Sequence, residues 1–204
     1  MKVMKYIVLV LLLSVSNLYS QNKDYNQLLA KYNPHLLEIS DFNNDSFLHY
    51  FKIVLNEYRD SLGLQKVEID ESLKVLAVEQ TNYNKGTGEI THIQQDPKKK
   101  THWDRAKFYG LPYNGWNLSE CLSIEGELLP NYFKKQYFDE YGEYNLNLMM
   151  AKEYLNGWKN SPGHNKVLIT PSFNIFYIYR DSDEVNNIGD DSFSYTTLIM
   201  AEKQ

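Results

Sequence analysis

Only one cysteine, Cys121, occurs in the 204 residues of the chain. A disulfide framework and a multi-cysteine zinc site are therefore excluded. Glycine (10) and proline (6) are sparse, so collagen-like, linker and low-complexity classes drop out. Basic charge is not in excess. The net charge of −5 gives no electrostatic footprint for nucleic acid. The apolar run Tyr6 to Val15 has only about ten residues, against the roughly twenty that a membrane span needs. What is there is globular: 43% hydrophobic and 23% charged residues, enough for one domain with a sizeable core.

The first twenty residues form a separate object. Lys2 and Lys5 precede the apolar run, and the polar stretch Ser16 to Ser20 follows it. This is the pattern of a secretory signal, with the cut expected between Ser20 and Gln21. No cysteine follows the run, so a lipoprotein anchor is not expected. Removal takes two lysines and no acids, moving the net charge from −5 to −7. A periplasmic or secreted protein is expected, with no integral span after cleavage.

Residues 21–45 are polar and Asn-rich and read as an N-terminal arm or linker. From Ser46 on, Phe47, Phe51, Val54, Leu55, Tyr58 and Leu62 recur at helical spacing up to Gly63. Asp70 is placed to cap a second helix carrying Leu73, Leu76, Ala77 and Gln80, closed by Gly86 and Gly88. Trp103 to Tyr109 predicts a short helix and Trp116 to Ile124 a strand. Leu146 to Trp158 predicts another helix, with Asn145 as its cap. Ser161-Pro162 opens the next one, since proline fits the first helical position. Phe173 to Arg180 and Phe193 to Met200 predict a hairpin with a long polar loop. Residues 125–144 form an aromatic-rich insertion, with Tyr132, Phe133, Tyr137, Phe138, Tyr141 and Tyr144. It is expected either to wall the cleft or to pack as a satellite core.

Several words in this order resemble a known family. Leu55-Asn56-Glu57-Tyr58-Arg59, Gly63-Leu64 and Asp70 resemble the opening of the CAP superfamily, also called the SCP domain. Thr91-His92 and Asp104-Arg105-Ala106 are similar to its next block. Leu118-Ser119-Glu120-Cys121 stands where the family usually has Gly-Glu-Asn, and Trp158 to His164 closely resembles the bacterial form of its last signature. The resemblance spans roughly Phe47 to Lys203 and implies an α/β fold, a three-layer α-β-α sandwich with a small antiparallel sheet between helices. It also implies a cleft holding two histidines, matched by His92 and His164, and an acid, matched by Glu120. The family's second acid has no clean counterpart near Asn160 or Ser161.

Two chemistries follow if His92, Glu120 and His164 meet. Two imidazoles and a carboxylate match an open zinc site, with Glu120 as third ligand. They equally match a metal-free network in which the carboxylate orients an imidazole. Cys121 beside a histidine is a further candidate nucleophile, set against a plain buried thiol. Arg59 and Arg105 are expected to tie helix to sheet, His102 to lie at the rim, and Lys98–Lys100 to be a solvated loop. The functional expectation is a secreted, monomeric binding module for a small amphiphile, lipid, peptide or envelope component. The alternative is a zinc-dependent hydrolase.

Overall fold

The computed structural model describes residues 42–113, 117–126, 146–182 and 193–203. The expected signal, almost all of the arm, most of the insertion and the hairpin loop lie outside the described residues. Among those described, helix α1 (Asn44–Ser61) is followed by the two-residue strand β1 (Glu68–Ile69) and a single 3-10 turn (Glu71–Leu73). Then come α2 (Lys74–Thr87), α3 (His102–Phe108), β2 (Leu118–Gly126), α4 (Leu146–Lys159), α5 (Pro162–Leu168), β3 (Ile175–Ser182) and β4 (Phe193–Ala201).

The ends of these elements follow from local chemistry. Asn43 caps α1 by accepting from the Ser46 amide at 2.9 Å, so the helix begins two residues before the expected Ser46. Thr101 and Asp104 form a reciprocal capping box that starts α3 at His102, and Gly110, at φ 68°, turns the chain after it. Pro162 opens α5 as expected, but Ser161 makes no side-chain capping bond.

The sheet order is β1-β3-β4-β2. β4 pairs antiparallel with both β3 and β2, whereas β1 pairs parallel with β3. That short parallel strand is invisible in the sequence because two residues carry no periodicity. Its place is set by Asn56, whose amide accepts from and donates to the Val67 backbone at 2.8 and 2.9 Å.

Alternation along the strands assigns the layers. Phe176 meets Phe51 of α1 at 5.9 Å between ring centroids, so that face carries α1. Thr197, one step out of phase with it across the register, bonds Thr81 of α2 at 2.9 Å, so the other face carries α2. Phe47, Phe51, Tyr154 and Trp158 interlock between α1 and α4 at centroid distances of 5.6 to 6.2 Å. The strand between both neighbours is covered on both faces: Leu198, Ile199, Met200 and Ala201 are fully buried. The layers are those of an α-β-α sandwich.

Arg59 is one of the fully buried polar groups of this frame. Its side chain is fully buried and faces backbone carbonyls. It donates to Gln65, Leu168, Thr170 and Phe173 at 2.8, 2.6, 3.2 and 3.0 Å. The guanidinium thus closes the segment after α1 against the turn between α5 and β3, and burial lowers its pKa from the ordinary arginine value. Arg59→Met should cost about 3 kcal/mol, because it leaves several buried carbonyls without a donor. Urea unfolding checks this; a loss well under about 1 kcal/mol would mean that water replaces the guanidinium.

Candidate functional site

Glu120 stands on β2 with a fully buried side chain. One oxygen, Oε2, accepts from Arg105 Nη2 at 2.5 Å; that guanidinium is also fully buried. The other, Oε1, lies 2.9 Å from His92 Nδ1. A carboxylate only accepts, so His92 Nδ1 carries a proton, and whenever the ring is neutral Nε2 is its acceptor. The His92 side chain is half exposed. Arg105 comes from α3, and its Nη1 also reaches the carbonyls of His92 and Lys99 at 3.5 and 3.3 Å. One cation therefore holds both the acid and the backbone of the loop that carries the imidazole.

The polar floor extends behind that loop. Gln80 of α2 donates to Asn84 Oδ1 at 3.0 Å and to the Thr91 carbonyl at 2.6 Å, fixing the residue before His92. His102, expected at the rim, is only partly exposed, and its Nε2 is buried with no hydrogen-bond partner. Burial lowers its pKa, opposed by the Glu120 charge and aided by Arg105 and His92. Sequence reasoning undervalues His102. The available signal is its place at the first position of a capped helix whose next turn sends Arg105 inward.

His164 approaches from the other side of β2. Glu120 and Cys121 are adjacent, so their side chains point to opposite faces of the strand. Cys121 Sγ lies 3.9 Å from the His164 carbonyl. The His164 ring meets Trp158 edge-on, with centroids 6.3 Å apart. It lines a groove of about 210 Å³ with Leu122, Ser123, Tyr154, Gly157 and Trp158. Burial lowers the His164 pKa, and a positive charge on His92 acts in the same direction. Both tryptophans beside this edge donate into it: Trp103 Nε1 to the Leu118 carbonyl and Trp158 Nε1 to the Leu122 carbonyl, each at 3.2 Å.

Cys121 is fully buried, and burial together with the Glu120 charge pushes its thiol pKa far up. That is the environment of an inert core thiol. Lys99 is not a solvated loop residue. It pairs with Glu79 at 2.5 Å and lies over the Phe108 ring at 4.4 Å.

A family model described as CAP, the cysteine-rich secretory protein family, matches residues 53–176. No curated protein matches the chain. Among solved structures, an outer surface protein from Borrelia burgdorferi is similar with a TM-score of 0.56 and 20% identity, over 79% of this chain and 97% of that one. An extracellular protein containing an SCP domain, from Bacillus anthracis, is similar with a TM-score of 0.49 and 16% identity. It is covered over 41% of its length by 78% of this chain. The first of these likenesses supports the fold; neither carries an activity.

Glu120→Gln should destabilise the domain by about 3–5 kcal/mol, since it leaves Arg105 buried without its counter-charge. Glu120→Leu with Arg105→Met should cost less than the sum of the two single changes, and a chemical-denaturation cycle measures that coupling. Full additivity would mean that the pair is not formed. Acidification should also destabilise the fold. The folded pKa values of His102 and His164 lie below the ordinary 6.5, so the unfolded chain takes up their protons first. That part of the stability is complete above about pH 6.5 and is lost as pH falls through the folded values. Unfolding at a series of pH values, with His102→Phe as comparison, should give a shallower acid slope for the variant.

Proposed function

The chain belongs to the cysteine-rich secretory protein (CAP) family, and from that premise we propose a secreted binding module whose cleft takes a small amphiphile, a lipid or a peptide. The observation that carries this reading is the commitment of Glu120. Both of its oxygens are engaged, one by a buried guanidinium and one by His92. It is therefore not free to act as a general base, which needs an unencumbered carboxylate near the reacting proton.

The same fact bears on zinc. The family's cleft histidines invite a metal held by His92 and His164 with Glu120 as third ligand. The set fits poorly, because Glu120 could reach a metal only through Oε1, the oxygen already engaged by His92, while Arg105 keeps Oε2. Among the described residues, no three His, Cys, Asp or Glu side chains form a ligating group. The engagement of both Glu120 oxygens favours the binding reading over the hydrolase alternative.

What the cleft offers a ligand is one fixed acceptor and one apolar slot. His92 Nε2, its tautomer set by Glu120, accepts from a hydroxyl or N–H at the polar end of a ligand. His164 is held toward its neutral form beside Trp158, Tyr154 and Leu122, where an apolar tail avoids water. Export agrees with the pattern of the first twenty residues and with the similar outer surface protein. No helix among the described residues is long and apolar enough to cross a membrane. A monomer suffices for the site, since its residues come from one chain.

Two titrations check the proposal. Calorimetry with zinc should give no saturable heat at micromolar concentration; tight uptake lost in both His92→Ala and His164→Ala would restore the metal reading. Lysophosphatidylcholine below its micellar concentration should alter tryptophan fluorescence saturably. Gly157→Leu, which fills the groove beside Trp158, should weaken that binding by roughly tenfold or more. Equal binding by the variant would contradict the proposed slot.

A further inference from the structure

Strand β2 lies at the edge of the sheet, so its main-chain groups alternate between β4 and open edge. Asn117 turns inward, where its carbonyl accepts from the Glu202 amide at 3.0 Å. Leu118 and Leu122 turn outward, where their carbonyls take the indole donors of Trp103 and Trp158. Glu120 stands midway between them and shares their phase, so its N–H and C=O face the edge as well. No described residue hydrogen-bonds either group.

The exposure of Glu120 shows that this edge is open. Its side chain is fully buried, yet the residue as a whole is 6% exposed. All of that exposed surface is therefore main chain. Leu118 and Leu122, under their indoles, are 1% and 3% exposed. The open main chain lies in the cleft itself. His92 is on the face of the Glu120 side chain, held at Oε1. Ser123, Trp158 and His164 line the apolar groove on the other face.

We propose that the cleft takes a short extended peptide, one residue of which pairs through its main chain with Glu120; this rests on the binding reading above and selects the peptide among its ligands. A main-chain donor and acceptor on one strand residue are met together by the N–H and C=O of a single opposing residue. A sterol hydroxyl or an acyl ester brings no such pair. The indoles hold the carbonyls on both sides, so the ladder does not run on in full and the occupant stays short. Opposed residues share a face. The side chain of the pairing residue therefore goes to the His92 side, where a hydroxyl can donate to Nε2. Its neighbours point to the other face, where an apolar side chain enters the groove beside Trp158 and His164. The favoured pattern is apolar, hydroxyl, apolar.

The test is amide exchange and NMR titration of the folded full-length chain with acetyl-Leu-Ser-Leu-amide. In the free protein the Glu120 amide should exchange much faster than that of Cys121, which pairs with β4. The peptide should shift and protect the Glu120 amide saturably. N-methylation of its serine removes the pairing donor and should weaken binding roughly tenfold. N-methylation of the last leucine, whose N–H points away from the edge, should change affinity less than about twofold. A Glu120 amide already protected in the free chain, no shift with the peptide, or equal losses from the two methylations would each overturn the proposal. Saturable uptake of lysophosphatidylcholine with no response to the peptide would overturn it too, while leaving the binding cleft in place.

Discussion

The Arg105–Glu120 pair is the constraint on which the cleft depends. Two opposite charges sit where neither side chain reaches water. Burial of such a pair is costly, and it is tolerated only when geometry and further hydrogen bonds satisfy the remaining groups. Here they are largely satisfied by the object that the pair positions. Glu120 commits its second oxygen to His92, and Arg105 commits its second nitrogen to the backbone of the His92 loop. Loosening the pair therefore frees the imidazole and its loop together. Arg59 plays the corresponding part on the other side of the domain with backbone carbonyls alone.

The position of β2 at the sheet edge turns this brace into a site. Successive residues of a strand face opposite ways. Glu120 therefore draws α3 and the His92 loop onto one face, while Cys121 sits beneath α5 and the backbone of His164 on the other. The two histidines reach the same edge from opposite layers. Trp103 and Trp158 satisfy two edge carbonyls, which blunts the strand as a template for another chain. In the proposed binding reading, this edge supplies a hydrogen-bond acceptor at His92 and an apolar slot beside His164, with both oxygens of Glu120 already engaged.

The helices and the long strands are legible in the sequence because periodicity and caps mark them. Phe47, Phe51 and Leu55 give the buried stripe of α1, and Pro162 marks the start of α5. β1 is not legible, since its two residues are positioned by Asn56 rather than by pattern. The family resemblance brings out His92, Glu120 and His164. Sequence cannot tell that Arg105 takes one oxygen of Glu120, because both arginines match the family words equally well and only the fold sends one to an acid and the other to carbonyls. His102 reads as rim because a lone histidine before a tryptophan carries no burial signal. Lys99 looks solvated within a lysine run, and only the packing of Glu79 and Phe108 distinguishes it from Lys98 and Lys100.

The state of the His92 ring tests this account most directly. If Glu120 accepts from Nδ1 while Arg105 occupies its other oxygen, neutral His92 must be a single tautomer. Nitrogen-15 NMR of the imidazole at mildly alkaline pH should then report a protonated Nδ1 and a bare Nε2. An Nε2-protonated ring, or rapid averaging of both tautomers, would mean that Glu120 does not hold His92, and the cleft described above would lose its fixed acceptor.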